Sequence, residues 1–235
     1  QMIQLIKNEI KTNFTHLDIC NFFKNNRRTL LLLLKENIIT IDHQIMSDIK
    51  SSANFNSIKI DEFFSPELGD NIYANLSISS ETFSEYRDKG ENSEIICELI
   101  RNDSIKEFIS YINRNSISVD SKINESIFET NLFLIDKKTL LIEYSAFFGS
   151  IQIFQYLKMN KANIKSDIWL YAIHSNNPEI INILEENKIE PKDGSYEKCL
   201  AESIKCHHNE ISAYIKNNLL DIKKRKSEKY ILGDE

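Results

Sequence analysis

The chain has 235 residues, a net charge of −6 and 41% hydrophobic residues, with only five glycines and three prolines. So few turn-forming residues predict helices and few tight turns. The acidic balance argues against a dedicated nucleic-acid-binding protein, which needs a basic face to neutralise phosphates. The longest apolar run, Leu30–Leu34, is much shorter than the ~18 residues of a membrane span, so we expect no membrane span.

The cysteine content and the N-terminal residues bear on where in the cell the protein is located. Cys20, Cys97, Cys199 and Cys206 are too few and too scattered for a disulfide scaffold. No secretory leader is visible. We therefore expect an intracellular protein, either cytoplasmic or cytoskeletal.

Residues 1–92 are predicted to form a divergent helical region with a loop-rich insert. Residues 1–18 have the apolar spacing of one amphipathic helix. Asp18–Ile41 follows as an irregular helical hairpin. In the loop-rich part we expect short helices near Ile58–Phe64 and Ser80–Arg87.

Residues 93–222 are predicted to repeat a helical hairpin. Laying Ser166–Glu190 under Thr139–Ile164 aligns Tyr144 with Tyr171 and Gly149 with Asn176 without gaps. One hairpin cannot bury its own apolar face, so a repeated hairpin predicts a stack. Paired helices are expected over 94–115, 139–160, 167–187 and 196–218, and 121–138 are expected to be an insertion with one helix around Ser126–Leu134.

An asparagine recurs near the end of each hairpin. Asn115, Asn160, Asn187 and Asn218 are separated by 45, 27 and 31 positions. The last two spacings fit a hairpin repeat of roughly 30 residues, and the first fits one repeat plus the insertion. A short polar side chain tolerates left-handed backbone geometry, so we interpret this column as helix stops rather than as a ladder that binds a ligand.

The regular hairpins resemble a known family. Thr139–Ile142, Ala146, Gly149–Ser150 and Gln152–Phe154 take the places that TPLHxAA and GHxEIVxxLL take in the ankyrin consensus. The segments IEYSAFFGSIQIFQYL, WLYAIHSNNPEIINILEEN and ESIKCHHNEI are similar to a large protist-expanded subclass of ankyrin proteins. In that subclass a divergent helical region precedes the repeats and the function is generally unassigned.

The resemblance implies an all-α, ankyrin-like helical-hairpin solenoid preceded by irregular helical units. The TPLH tetrapeptide is absent from every unit, and glycine is missing from the loops before the hairpins at 139–160 and 167–187. We therefore expect plain loops in place of the regular β-turns of ankyrin repeats.

Motifs for metal binding and catalysis are weak in this sequence. Cys206-His207-His208, with Cys199 seven residues earlier, is the only ligand-like cluster, and no second ligand pair is available as zinc sites usually require. Nucleophile, phosphate-binding and metalloprotease motifs are absent. We therefore predict no enzyme, no metal, no cofactor and no small-molecule substrate.

Residues 223–235 form a basic tail that begins with Lys223-Lys224-Arg225-Lys226. We expect a frayed, solvated helix end, whose cations also complement the helix dipole. A nuclear-localisation signal or a contact to an acidic surface is the alternative.

The resemblance implies a function in protein–protein recognition. Partners of ankyrin stacks usually dock on the concave face, made by the first helix of each hairpin and the loop before it. In this sequence that face would present Asp167, Trp169, Tyr171, Lys192 and Asp193 to a protein partner. For Trp169 the alternative is packing inside the stack. For the whole chain the alternative is a structural component of a large cytoskeletal or organelle-associated assembly.

Overall fold

The computed structural model of the protein describes residues 9–52, 59–70, 72–135, 137–192 and 194–220. Across these ranges the regular secondary structure is helical, and the one β feature is an isolated bridge between Lys122 and Leu140. The predicted all-α class is therefore confirmed. The basic tail and the first eight residues lie outside the described ranges. Contacts within the chain define two compact units, Gln1–Glu94 with Asn124–Lys138 and Ile95–Ile123 with Thr139–Glu235.

The described residues of the first unit form seven helices after a helical stretch at residues 9–13. They are α1 (His16–Phe23), α2 (Arg27–Lys35), α3 (His43–Ser51), α4 (Ile60–Phe63), α5 (Ser65–Leu68), α6 (Tyr73–Leu76) and α7 (Ser80–Lys89). The hairpin expected over Asp18–Ile41 is confirmed by α1 and α2, and both predicted short helices are present as α4 and α7.

The prediction of one helix over residues 1–18 is wrong, because a new helix begins inside that range. Thr15 has extended backbone geometry and caps α1. Its hydroxyl accepts a hydrogen bond from Asp18 N (3.1 Å), and Asp18 Oδ2 accepts one from Thr15 N (3.0 Å). This reciprocal capping box satisfies two backbone donors and fixes the start of α1.

The core of the first unit holds two buried arginines, Arg27 and Arg87, close to Phe63. Arg87 makes a bidentate pair with Glu67, with N···O distances of 2.7 and 2.9 Å, and Arg27 donates to Ile127 O at 3.1 Å. Both guanidinium groups lie just under 6 Å from the centre of the Phe63 ring. The cations are thus buried with partners and against an aromatic face, as buried charges require.

The predicted helix around Ser126–Leu134 is wrong, because this segment forms turns. Its own side chains hydrogen-bond its backbone: Ser126 Oγ accepts from Phe128 N (3.2 Å) and Asn131 Oδ1 accepts from Phe133 N (2.9 Å). Such local hydrogen bonds compete with those of a helix.

The same segment contributes to the core of the first unit. The Phe128 ring packs edge-on against Phe83 and Tyr86, with ring centres 5.2 and 5.3 Å apart. Thr130 donates to Gly90 O from both its backbone nitrogen (3.1 Å) and its hydroxyl (2.8 Å). The segment inserted in the repeat pattern therefore caps the C-terminal end of α7 through Thr130.

The second unit is built from four helical hairpins. The eight helices are α8 (Ile95–Arg101), α9 (Ile105–Arg114), α10 (Leu141–Phe148), α11 (Ile151–Met159), α12 (Ile168–His174), α13 (Pro178–Glu186), α14 (Glu197–Lys205) and α15 (Asn209–Tyr214), and a π-helical turn (Ile215–Leu220) follows. All four predicted helix pairs are present. Each first helix contacts the next: α8 contacts α10, α10 contacts α12, and α12 contacts α14.

The turn inside each hairpin has a repeated geometry. The turn residues Asp103, Gly149, Asn176 and His207 all have positive φ, between 48° and 69°. The predicted alignment of Gly149 with Asn176 is therefore confirmed by the backbone, and His207 takes the same place in the last hairpin.

In the last three hairpins, the side chain after the turn residue bonds to the preceding hairpin. Ser150 Oγ donates to Ile100 O (2.5 Å), Asn177 Nδ2 donates to Gly149 O (3.3 Å), and His208 Nδ1 lies 2.8 Å from Ile173 O. We call these three hydrogen bonds the turn ladder. They satisfy carbonyls at helix ends and tie each hairpin to the one before it.

The asparagine column ends helices, but by another mechanism than the one expected. Asn115, Asn160 and Asn187 keep negative φ, and the left-handed residue is the one that follows each of them. The side-chain amide of each asparagine instead donates to the carbonyl four residues earlier, at 2.8, 2.8 and 2.6 Å. Asn218 is no helix stop, since it lies inside the π-helical turn.

The second helix of each regular hairpin also buries apolar side chains. Leu157 and Leu184 have no exposed surface. The first helix α10 is buried on nearly every side, from Leu141 to Phe147, and contacts α8, α11 and α12. Its Glu143 is held inside by accepting a hydrogen bond from Leu140 N (2.8 Å).

Replacing Gly90 with alanine should destabilise the protein more than replacing Gly69. Both glycines end helices with φ near +70°, where any other residue is strained by about 1–2 kcal/mol. A Cβ at Gly90 would lie only 2.6 Å from Thr130 Oγ1, whereas nothing lies within 4 Å at Gly69. We expect Gly90→Ala to lower the free energy of unfolding by about 1–3 kcal/mol more than Gly69→Ala in urea titrations. Equal losses of unfolding free energy in the two variants would mean that Thr130 does not pack closely against Gly90.

Removing the Leu184 side chain should open a cavity. We expect Leu184→Ala to lower the free energy of unfolding by about 2–5 kcal/mol, with the loss extending to α14 and α15 because stacked units share interfaces. Met159→Ala is the control, since the Met159 side chain is 79% exposed. Thermal unfolding followed by circular dichroism gives the measurement, and similar midpoints for the two variants would contradict the stacking.

Candidate functional site

Two of the predicted partner-binding residues lie on the surface. Asp167 precedes α12 and Lys192 lies in the loop before α14, and both side chains are exposed. The Asp167 carboxylate makes no capping hydrogen bond with its own helix. Asp193, the third charged residue predicted here, lies outside the described residues.

The two predicted aromatic residues lie inside the protein. Trp169 has no exposed surface, its Nε1 donates to Ile189 O at 2.6 Å, and its ring packs edge-on against Tyr196. Tyr171 is also buried, and this burial, together with the Glu143 carboxylate, raises its pKa. The structure therefore supports the packing alternative for Trp169, because a fully buried indole cannot contact a partner.

The local cluster Cys206-His207-His208 does not come together as a site. His208 is part of the turn ladder, and the exposed His207 is its left-handed turn residue. Cys199 is buried and is not part of a disulfide. Cys206 lies beside ligand-type side chains from outside this sequence cluster.

Cys206 instead converges with His174 and Glu202. His174 is the last residue of α12, Glu202 lies on α14, and Cys206 caps the C-terminal end of α14. The Cys206 Sγ lies 3.5 Å from His174 Nδ1 and 3.9 Å from Nε2, and Nε2 lies 3.0 Å from Glu202 Oε1. Among the described residues this is the one group of three metal-ligand side chains whose ligand atoms all lie within 4.8 Å of one another.

Neighbouring side chains hold this group in place. The Phe147 ring stacks on the His174 ring, with ring centres 5.0 Å apart and an angle of 25° between the planes. Lys205 Nζ lies 3.1 Å from the second carboxylate oxygen of Glu202. The His174 and Glu202 side chains are 16% and 19% exposed, so solvent reaches the group from one side.

The pKa shifts of Glu202 and Cys206 bear on whether Cys206 could act as a catalytic nucleophile. Burial raises the pKa of the Glu202 carboxyl, but hydrogen bonds from Lys205 and His174 outweigh it and lower the pKa overall. Burial and the Glu202 charge raise the pKa of the Cys206 thiol, and the negative end of the α14 dipole acts in the same direction. A nucleophilic cysteine needs the opposite environment, so the order thiol–imidazole–carboxylate alone does not indicate cysteine catalysis.

The sequence contained a partial signal for this group. Glu202 and Cys206 are four residues apart on one helix, a spacing that puts both on one face. His174 precedes Glu202 by 28 residues, about one repeat period. Side chains one period apart meet on neighbouring first helices, but that signal depends on the stack being known in advance.

Comparison of the chain with protein-family models, with curated proteins and with solved structures gave no match. In the part of the chain that the structure describes, no helix combines the length and the apolar character that crossing a bilayer requires.

The fluorescence of Trp169 tests its position directly, since it is the sole tryptophan. A buried indole should emit at short wavelength, resist quenching by acrylamide, and shift to longer wavelength when urea unfolds the chain. The unfolded chain in the same buffer is the control. Native emission as red-shifted and as easily quenched as that of the unfolded chain would contradict the burial and restore Trp169 as a contact residue.

Proposed function

We propose that this chain is a protein-interaction module whose second unit is an ankyrin-like stack of helical hairpins. The observation that supports this best is the packing of α8, α10, α12 and α14, each against the next. The turn ladder adds a second repeated contact between successive hairpins. A stack held in this way offers a large rigid surface, so little ordering entropy is lost when a partner binds.

The partner surface that we propose is polar. Asp167 and Lys192 mark the loops that lead into α12 and α14, and Glu197 and Lys198 are exposed at the start of α14. Because α10 and α12 are buried or half-buried along their lengths, the exposed surface that we propose lies on the loops before α12 and α14 and on α14 itself. Charges of both signs at an interface rim favour a partner of complementary mixed charge and make the association rate depend on salt.

The alternative is a structural component of a large cytoskeletal or organelle-associated assembly. Velocity sedimentation of cell extracts separates the two functions. An adaptor should sediment as a small species, and an assembly component should sediment with a large particle.

Reversing both loop charges tests the proposed surface. The double variant Asp167→Lys/Lys192→Glu keeps the net charge and changes two exposed side chains, so we expect normal helicity and at least about a tenfold loss of partner affinity, or ~1.4 kcal/mol. The control Glu186→Lys/Lys216→Glu reverses two exposed charges on α13 and in the π-helical turn. Affinity purification with quantitative mass spectrometry identifies the partners.

Two outcomes argue against this surface. If the loop variant recovers the same partners at the same affinity as the wild-type chain, the first-helix face does not bind them. If the control loses partners equally, the effect is a general one of surface charge.

A further inference from the structure

We propose that His174, Glu202 and Cys206 bind one zinc-type transition-metal ion between the C-terminal ends of α12 and α14. The three side chains come from two successive hairpins, so one ion would bridge them. This inference does not depend on the proposed protein-binding function.

The ligand atoms lie close enough together to converge on one ion. With Zn–S near 2.3 Å and Zn–N near 2.0–2.1 Å, a tetrahedron has an S···N edge of about 3.6 Å and an N···O edge of about 3.3 Å. If His174 Nε2 is the ligand, the corresponding distances here are 3.9 Å to Cys206 Sγ and 3.0 Å to Glu202 Oε1, and the ligand atoms all lie within 4.8 Å of one another. Cys206 Sγ is also 3.5 Å from Nδ1 and so lies beside the ring, and the Cys206 and Glu202 side chains must rotate toward one ring nitrogen to bind the ion.

The donor set selects the class of metal. Calcium and magnesium prefer oxygen ligands throughout, whereas sulfur and imidazole nitrogen favour zinc and similar ions. Three protein ligands leave a fourth position open to water or to a group from a partner. Phe147 fixes the plane of the His174 ring, which is the ligand that comes from the other hairpin.

Two features of the group oppose metal binding and must give way. The three side chains are hydrogen-bonded to one another, so the ion has to replace those contacts. Lys205 places a positive charge on Glu202, but its side chain is 72% exposed and can turn into solvent. The gain is an ionic bridge between the last two hairpins, which stabilises the folded chain by mass action as the metal concentration rises.

Cobalt(II) gives a direct test, because a thiolate–cobalt bond produces a charge-transfer band and tetrahedral cobalt produces intense visible bands. Full-length protein treated with a chelator and then titrated with Co²⁺ should show both, saturating at one ion per chain, and Zn²⁺ should remove them. We expect Cys206→Ser to lose the charge-transfer band. His174→Gln should weaken Zn²⁺ binding by more than the ~10–100-fold that loss of an outer-shell partner causes.

Two control variants distinguish this site from the local sequence cluster. Cys199→Ser removes the neighbouring buried thiol, and His207→Gln removes the exposed imidazole beside Cys206. Both should keep the cobalt spectrum of the wild-type chain. If His207→Gln abolishes the spectrum and His174→Gln does not, the metal uses the local cluster and the proposed site is wrong.

A measurement on the unmodified chain covers the case in which a variant fails to fold. Saturating Zn²⁺ should slow the alkylation of Cys206 by iodoacetamide at least about tenfold, as followed by peptide mass spectrometry, and should raise the melting temperature. Absence of a sulfur–cobalt band together with unchanged alkylation would overturn the proposal. Binding of several ions without that band would be adventitious surface binding and would overturn it as well.

Discussion

The second unit depends on one constraint, which is that a single helical hairpin cannot bury its own apolar face. Helix α10 shows how the chain meets it, since every residue from Leu141 to Phe147 is buried and α8, α11 and α12 all contact it. Burial of apolar surface is non-directional, so by itself it does not fix the position of one hairpin along the next. The turn ladder removes that freedom, since Ser150, Asn177 and His208 each bond to one carbonyl of the preceding hairpin.

The first unit is organised by charge as well as by apolar packing. Two guanidinium groups lie within 6 Å of the centre of the Phe63 ring, and the Arg87–Glu67 pair is largely withdrawn from water. Taking one partner from a buried pair leaves an uncompensated charge, which costs about 3–5 kcal/mol. Replacing such a pair with apolar residues is often neutral, so the pair is weak evidence for net stability, and we interpret the arginines as groups that specify which arrangement forms. The many short helices around them fit this interpretation, because four-residue helices have little stability of their own.

The helical hairpins could be predicted from the sequence because their signal is local. All four helix pairs expected from the sequence are present, and Gly149 and Asn176 share a left-handed turn as the alignment indicated. The Ser126–Leu134 segment was mispredicted because its apolar residues fit a helix, while hydrogen bonds from Ser126 and Asn131 to the backbone decide its conformation. Apolar periodicity carries no information about those bonds.

The candidate site was harder to predict from the sequence than the hairpins were, because it depends on contacts between residues of different hairpins. An exposed and a buried Trp169 look the same in the sequence, and only the position of Ile189 and Tyr196 beside the indole distinguishes them. The Cys206-His207-His208 cluster was visible, but the turn that the repeat requires already employs both histidines. In a stack with a period near 30 residues, neighbours in space are about one period apart in sequence, as His174 and Glu202 are. A ligand group in such a protein therefore consists of residues one period apart, and a search of local spacings detects only the part that lies on one helix.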